Sequence, residues 1–192
     1  RSNGYATGGY IGPAYSDVID KFPFASDTTN SSDAGDLTQV RSFSAGTSSE
    51  THGYTAGGSG PAGNSNVIDK FPFSSDVNAT DVGDITQTTY GAAPQSSGTH
   101  GYTSGGSGPP YRNNIEKFTF ASDANATDVG DKNAGNMYQV GTSSADNGYV
   151  CGGFGPSGGQ DYIFKYSHAS DGNSTDIGNL AVGNHRAAGT QN

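Results

Sequence analysis

Val18-Ile19-Asp20-Lys21-Phe22-Pro23-Phe24 recurs letter for letter as Val67-Ile68-Asp69-Lys70-Phe71-Pro72-Phe73. It returns in altered form as Asn114-Ile115-Glu116-Lys117-Phe118-Thr119-Phe120 and as Tyr162-Ile163-Phe164-Lys165-Tyr166-Ser167-His168. β-Branched and aromatic residues bounded by Gly, Pro, Asn and Asp read as a strand. Four copies of one strand mean that the chain is a repeat array, and its period settles the fold before any motif is weighed.

The rest of each unit repeats with it. A Gly-Tyr pair precedes every such strand, at Gly4-Tyr5, Gly53-Tyr54, Gly101-Tyr102 and Gly148-Tyr149, spaced by 49, 48 and 47 residues. Each pair leads to a double glycine: Gly8-Gly9, Gly57-Gly58, Gly105-Gly106 and Gly152-Gly153. After the aromatic strand, an Asp- and Asn-rich turn runs into Asp33-Ala34-Gly35-Asp36-Leu37, Asp81-Val82-Gly83-Asp84-Ile85, Asp128-Val129-Gly130-Asp131-Lys132 or Asp176-Ile177-Gly178-Asn179-Leu180. A stretch of small residues such as Ser44-Ala45-Gly46-Thr47-Ser48 closes the unit. Four short strands in about 48 residues make one propeller blade, whereas helical repeats of similar length need a 3.6-residue apolar period that is missing here. The expectation is an all-β, four-bladed propeller forming a single domain over residues 1–192, with blades starting near Gly4, Gly53, Gly101 and Gly148. Gly189-Thr190-Gln191-Asn192 followed by Arg1-Ser2-Asn3-Gly4-Tyr5 aligns without a gap to Gly46 through Tyr54. That alignment predicts that the C-terminal strand completes the first blade and closes the ring.

Composition agrees with a thin, distributed core. Of 192 residues, 31 are Gly and 8 are Pro, only 27 are Leu, Ile, Val or Phe, yet aromatics reach 10%. No apolar run approaches the roughly 18 residues of a membrane helix. Nine scattered bases under a net charge of −9 argue against nucleic acid, which is bound by clustered Lys and Arg. A lone cysteine, Cys151, excludes an intrachain disulfide framework and a thiolate zinc site. Met137 is the sole methionine, so the chain reads as processed or as part of a longer one.

The strand order resembles the Kelch and galactose-oxidase type of propeller. The double glycines match the Kelch pair, Phe22, Phe71, Phe118 and Tyr166 its following aromatic, and Arg41 and Arg186 its basic residue; the usual Trp of the fourth strand is absent. Blocks such as Asn66 to Phe73 and Thr99 to Gly106 are also similar to repeats of virion structural proteins of marine cyanophages. The resemblance implies a non-enzymatic structural or attachment module of a virion surface. Its partners would be other structural proteins or a glycan, within a larger assembly and without a cofactor. A glycosylated, secreted structural protein is the alternative, and a propeller-based hydrolase or oxidase the third.

Four sets of residues qualify as sites. Asp76, Asn78 and Thr80, with Asp123, Asn125 and Thr127, alternate as oxygen ligands do in Ca²⁺ loops. They lack the sharp-turn Gly and the bidentate Glu of such loops, so Asx-type turns explain them better. Asn30, Asn78, Asn125 and Asn173 each open an N-glycan acceptor triplet. Lys21, Lys70, Lys117 and Lys165 are too regular to be catalytic and are expected to pair with Asp36, Asp84 or Asp131 of the adjoining strand. The least repeated segments follow the double glycines and carry Tyr15, Tyr111, Arg112 and Phe154. Exposed Tyr and Arg are hot-spot residues, so these four are the expected binding surface. Cys151 replaces the small Thr7, Ala56 and Ser104 and is expected to be a buried packing residue. The four histidines form no ligand set, and no Ser-His-Asp, phosphate-loop or paired-acid arrangement stands out.

Overall fold

In a computed structural model, which describes residues 2–25, 28–107 and 110–190, the chain is 58% strand and has no helix. The first sheet contains β1 (Asn3–Ile11), β2 (Ala14–Pro23) and β3 (Ser32–Asp36). The second contains β4 (Ala45–Ser48), β5 (His52–Ala56), β8 (Val67–Pro72) and β9 (Thr80–Asp84), with a separate two-stranded hairpin, β6 (Ser59–Gly60) and β7 (Gly63–Asn64), between β5 and β8 in the chain. The third is β10 (Ala93–Ser96), β11 (His100–Gly106), β12 (Arg112–Thr119) and β13 (Thr127–Asp131). The fourth is β14 (Val140–Ser143), β15 (Asn147–Cys151), β16 (Phe154–Gly155), β17 (Gly158–Ser167) and β18 (Thr175–Asn184). All pairings are antiparallel and follow chain order, with Gly53 opposite Phe71, Gly101 opposite Phe118 and Gly148 opposite Tyr166.

That register explains the Gly-Tyr pair. A Cβ on Gly53 would lie 2.2 Å from the tip of the Phe71 ring, and one on Gly148 would lie 2.2 Å from that of Tyr166. The aromatic of the third strand therefore lies across the second strand, over the one residue without a side chain. The double glycine does a different job: Gly57 and Gly58 have φ of +62° and +109°, which L residues avoid. They swing the chain out of the ladder toward the next loop.

The sheets pack face to face through one recurring joint. Tyr5 meets Phe71 and Phe73 of the second sheet at 5.4 and 4.9 Å between ring centroids. Tyr54 meets Phe118 and Phe120 of the third at 5.6 and 4.9 Å, and Tyr102 meets Tyr166 and His168 of the fourth at 5.5 and 4.9 Å. Ile19, Leu37 and Ala79 fill the first joint, Ile68, Ile85 and Ala126 the second, and Ala93, Ile115, Val150 and Phe164 the third. Fully burying such a side chain contributes about 1.5–3 kcal/mol, so three small cores replace one large one.

The lysines reinforce the same joints. Lys21 bonds Asp76, Lys70 bonds Asp123 and Lys117 bonds Asp171, at 2.5 to 2.6 Å. This corrects the expectation that they pair with Asp36, Asp84 or Asp131. Those acids sit opposite Val18, Val67 and Asn114, three residues along the strand from the lysines, while the turn of the next sheet lies within reach.

The expected fourth strand of the first sheet does not form among the described residues. The first sheet has three strands, and residues 185–190 run outside any strand. Gln191 and Asn192 lie outside the described residues. The C-terminal segment nevertheless continues the repeat: Gly189 lies against Val140 and Thr142 of β14, much as Gly141 lies against Pro94 of β10.

Candidate functional site

Two places on the molecule differ from joint-forming sheet. One is a cavity of about 410 Å³ between the inner strands, reached by Thr7, Gly46, Pro94, Gly141 and Gly189. Hydroxyls and amides dominate its polar contacts: Thr7 and Thr55 share a 2.9 Å bond, and the Ser96 N–H donates to Ser143 Oγ at 2.9 Å. Among the described residues its wall holds no Asp, Glu, His, Lys, Arg or Cys.

The other place is the end of the sheets where the second strand turns to the third. Short bridges (Ser42 with Ser59, Tyr90 with Ser107, Met137 with Phe154) join this loop to the segment entering its own sheet. That segment carries a cluster that the sequence reading missed. The rings of Phe43, Tyr90 and Tyr138 lie 5.5 to 6.1 Å from one another, and the Arg186 guanidinium sits 4.5 Å from the centre of the Tyr138 ring. A cation over a ring face is attracted by the ring quadrupole.

The backbone under this cluster is unusual. Phe43, Gly91, Tyr138 and Arg186 stand at repeat-equivalent positions and all have positive φ, at +55°, +66°, +55° and +59°. A chain of bonds links them: Gly91 N–H donates to Phe43 C=O, Tyr138 N–H to Gly91 C=O and Arg186 N–H to Tyr138 C=O, at 2.7 to 2.9 Å. Three bulky residues thus hold a conformation that costs about 1–2 kcal/mol each. The signal available in the sequence was an aromatic or Arg just ahead of each small-residue stretch.

The four residues expected to bind lie at this same end, but they are not gathered into one site. Tyr15 packs on the exposed Tyr10, at 5.1 Å. Arg112 Nε donates to Thr88 C=O at 3.1 Å. Phe154 takes His185 edge-on at 5.2 Å and so adjoins Arg186. Tyr111 is half-buried, its backbone against Gly135. Gly108 and Pro109, in the same loop as Tyr111, lie outside the described residues. Of the two arginines matched to a Kelch basic residue, Arg186 belongs to this end, and Arg41 is buried between sheets.

The opposite end holds the Asp- and Asn-rich turns, whose oxygens are already engaged. Asp76 and Asp123 hold lysines, while Asn78, Asn125 and Asn173 accept the backbone N–H of Asp36, Asp84 and Asp131 at 3.1, 3.0 and 2.9 Å. Thr80 and Thr127 are exposed and begin β9 and β13. The Asn residues that open the acceptor triplets therefore clasp the preceding sheet, and their amide nitrogens are on exposed residues. Asn30, in the first sheet's turn, is exposed as well. Cys151 is only partly buried, with its thiol pKa raised by burial.

Buried polar groups between sheets replace part of the apolar core. Asp69 accepts from Arg41 and from the N–H and hydroxyl of Thr38, and Glu116 accepts the same pair of bonds from Thr86. Lys132 is wholly enclosed and donates to Asn136 and Gln139, and burial lowers its pKa to about 7.

No family model and no curated protein sequence matches the chain. Among solved structures, the one titled "Structure of YjhT" superposes with a TM-score of 0.80 at 13% identity, over 97% of this chain and 70% of that one. At that identity the likeness concerns the fold alone, and the fold of the chain is β-propeller-like.

Proposed function

We propose that the chain is an array of four Kelch-like blades serving as a non-enzymatic structural or attachment module, and that its loop end is the contact surface. The observation carrying this reading is the cluster of Phe43, Tyr90, Tyr138 and Arg186 on a strained backbone. Backbone strain persists where function or surrounding structure requires it, and half-exposed rings beside an Arg form the composition of binding hot spots. Around that centre the loops differ from blade to blade, with Tyr15, Tyr111, Arg112 and Phe154 as the unrepeated side chains. Aromatic faces of this kind take a protein surface or stack on a sugar ring. The resemblance to cyanophage repeats makes the virion surface the proposed setting and a neighbouring structural protein or host glycan the proposed partner.

The test is replacement of Tyr15, Tyr111, Arg112 and Phe154 by Ser, and separately of Phe43 and Tyr138 by Ser. Glycan-array binding and incorporation into assembled particles are measured beside the thermal melt. Loss of binding or incorporation with a retained melt supports the reading. Unchanged binding and incorporation in both variants would overturn it.

A further inference from the structure

The joint between sheets occurs three times inside the chain, so its two halves can be defined from the structure. The front half is a Tyr of the second strand, an Ile of the third and a Lys beside them. The back half is the Phe-x-Phe segment with the Asp and Asn of the following turn. The fourth sheet presents a front half, Tyr149, Ile163 and Lys165, and the first sheet presents a back half, Phe22, Phe24 and Asn30. Within the chain these halves do not meet. Phe22 is 40% exposed where Phe71, Phe118 and Tyr166 are 4%, 3% and 4%, and Phe24 is 61% exposed. Ile177 of β18 is 52% exposed, and Ile163 keeps partial exposure where Ile19, Ile68 and Ile115 have none. Among the described residues no ring contact joins Tyr149 to Phe22 or Phe24.

Two exposed, mutually complementary faces on one molecule make a heterologous pair, which joins copies head to tail.

We propose that the front face of the fourth sheet receives the back face of the first sheet of a second copy of this chain. Tyr149 would take Phe22 and Phe24, Ile163 and Ile177 would be covered, and Asn30 would cap a backbone N–H as Asn78, Asn125 and Asn173 do. The proposal holds whatever the loop end binds.

Two measurements on the whole chain test it. In analytical ultracentrifugation the average mass is expected to rise with concentration. Phe24→Asp, at an exposed position, should weaken that association at least tenfold with an unchanged melt. Second, in a Cys151→Ala background, chains carrying only Tyr149→Cys are mixed with chains carrying only Phe22→Cys and oxidised. A covalent pair of twice the chain mass is expected. A chain that stays monomeric at all concentrations would overturn the proposal. So would a double-cysteine chain that crosslinks only within itself, since the two faces would then close on each other in one molecule.

Discussion

The Arg41 guanidinium meets the Asp69 carboxylate at 2.7 Å between the first and second sheets, with the two side chains 1% and 0% exposed. Arg41 also donates to the carbonyls of Thr55, Gly57 and Val67 at 3.0 Å. One side chain therefore ties the sheet junction to three strand-end carbonyls. Removing one partner of a buried pair leaves an uncompensated charge and costs about 3–5 kcal/mol, while replacing both by apolar groups is far milder. Arg41→Met is thus expected to lose several kcal/mol in urea denaturation, and Arg41→Met with Asp69→Leu to recover much of it. A single variant costing under about 1 kcal/mol would show that Asp69 is satisfied by Thr38 alone.

Lys132 makes stability depend on pH. Its folded pKa of about 7 is below its ordinary value of 10.5 because burial disfavours the charge. Between these values the unfolded chain binds the extra proton, so stability rises as pH increases from about 7 toward 10.5, and the full penalty is present below pH 7. The second sheet's joint places Ile85, Thr89 and Ala92 where the third has Lys132, Asn136 and Gln139. Transplanting those three residues removes the charge without orphaning its acceptors. Denaturation at pH 7 and pH 9.5 should show the slope in the parent and a flatter profile in the transplant. Equal slopes would mean that other groups set the pH response.

Gly53 should be intolerant of any side chain. A Cβ there would stand 2.2 Å from the Phe71 ring, against 4 Å of open space at Gly46 in the strand beside it. Over-packing a well-filled site costs typically about 1–3 kcal/mol. Gly53→Ala is expected in that range by thermal melt, Gly46→Ala near zero, and Phe71→Leu should relieve part of the Gly53→Ala loss. Equal effects at the two glycines would mean that the ring moves aside freely.

These cases show what the sequence could and could not disclose. The strands and their order were legible because each repeat carries its own alternation and turn residues, which act within one sheet. Lys70 and Asp123 are 53 positions apart, and their pairing depends on how one sheet sits on the next. The repeat period alone made Asp84 look as good a partner. A strand through Thr190 is not seen in the first sheet among the described residues, and end-to-end alignment reports only the equivalence of residues, not whether equivalent faces meet. The cluster at Phe43, Tyr90 and Tyr138 stayed hidden because its residues are unlike in each repeat and converge only at the centre of the loop end.

Tyr138 offers a test that separates backbone strain from ring contacts. With φ of +55° it holds a conformation that Gly adopts freely and other residues adopt at about 1–2 kcal/mol. Its repeat equivalent is Gly91, at +66°. Replacing Tyr138 by Ala removes the ring and keeps the strain, whereas Gly removes both. In most strand or helix positions Gly is the less stable of the two by about 0.5–1 kcal/mol. Here the order is expected to reverse, with Tyr138→Gly melting above Tyr138→Ala. Both variants should lose the contact with Arg186 and bind the proposed partner alike. If Ala proves the more stable, the positive φ belongs to the tyrosine's own contacts and relaxes when the ring is gone.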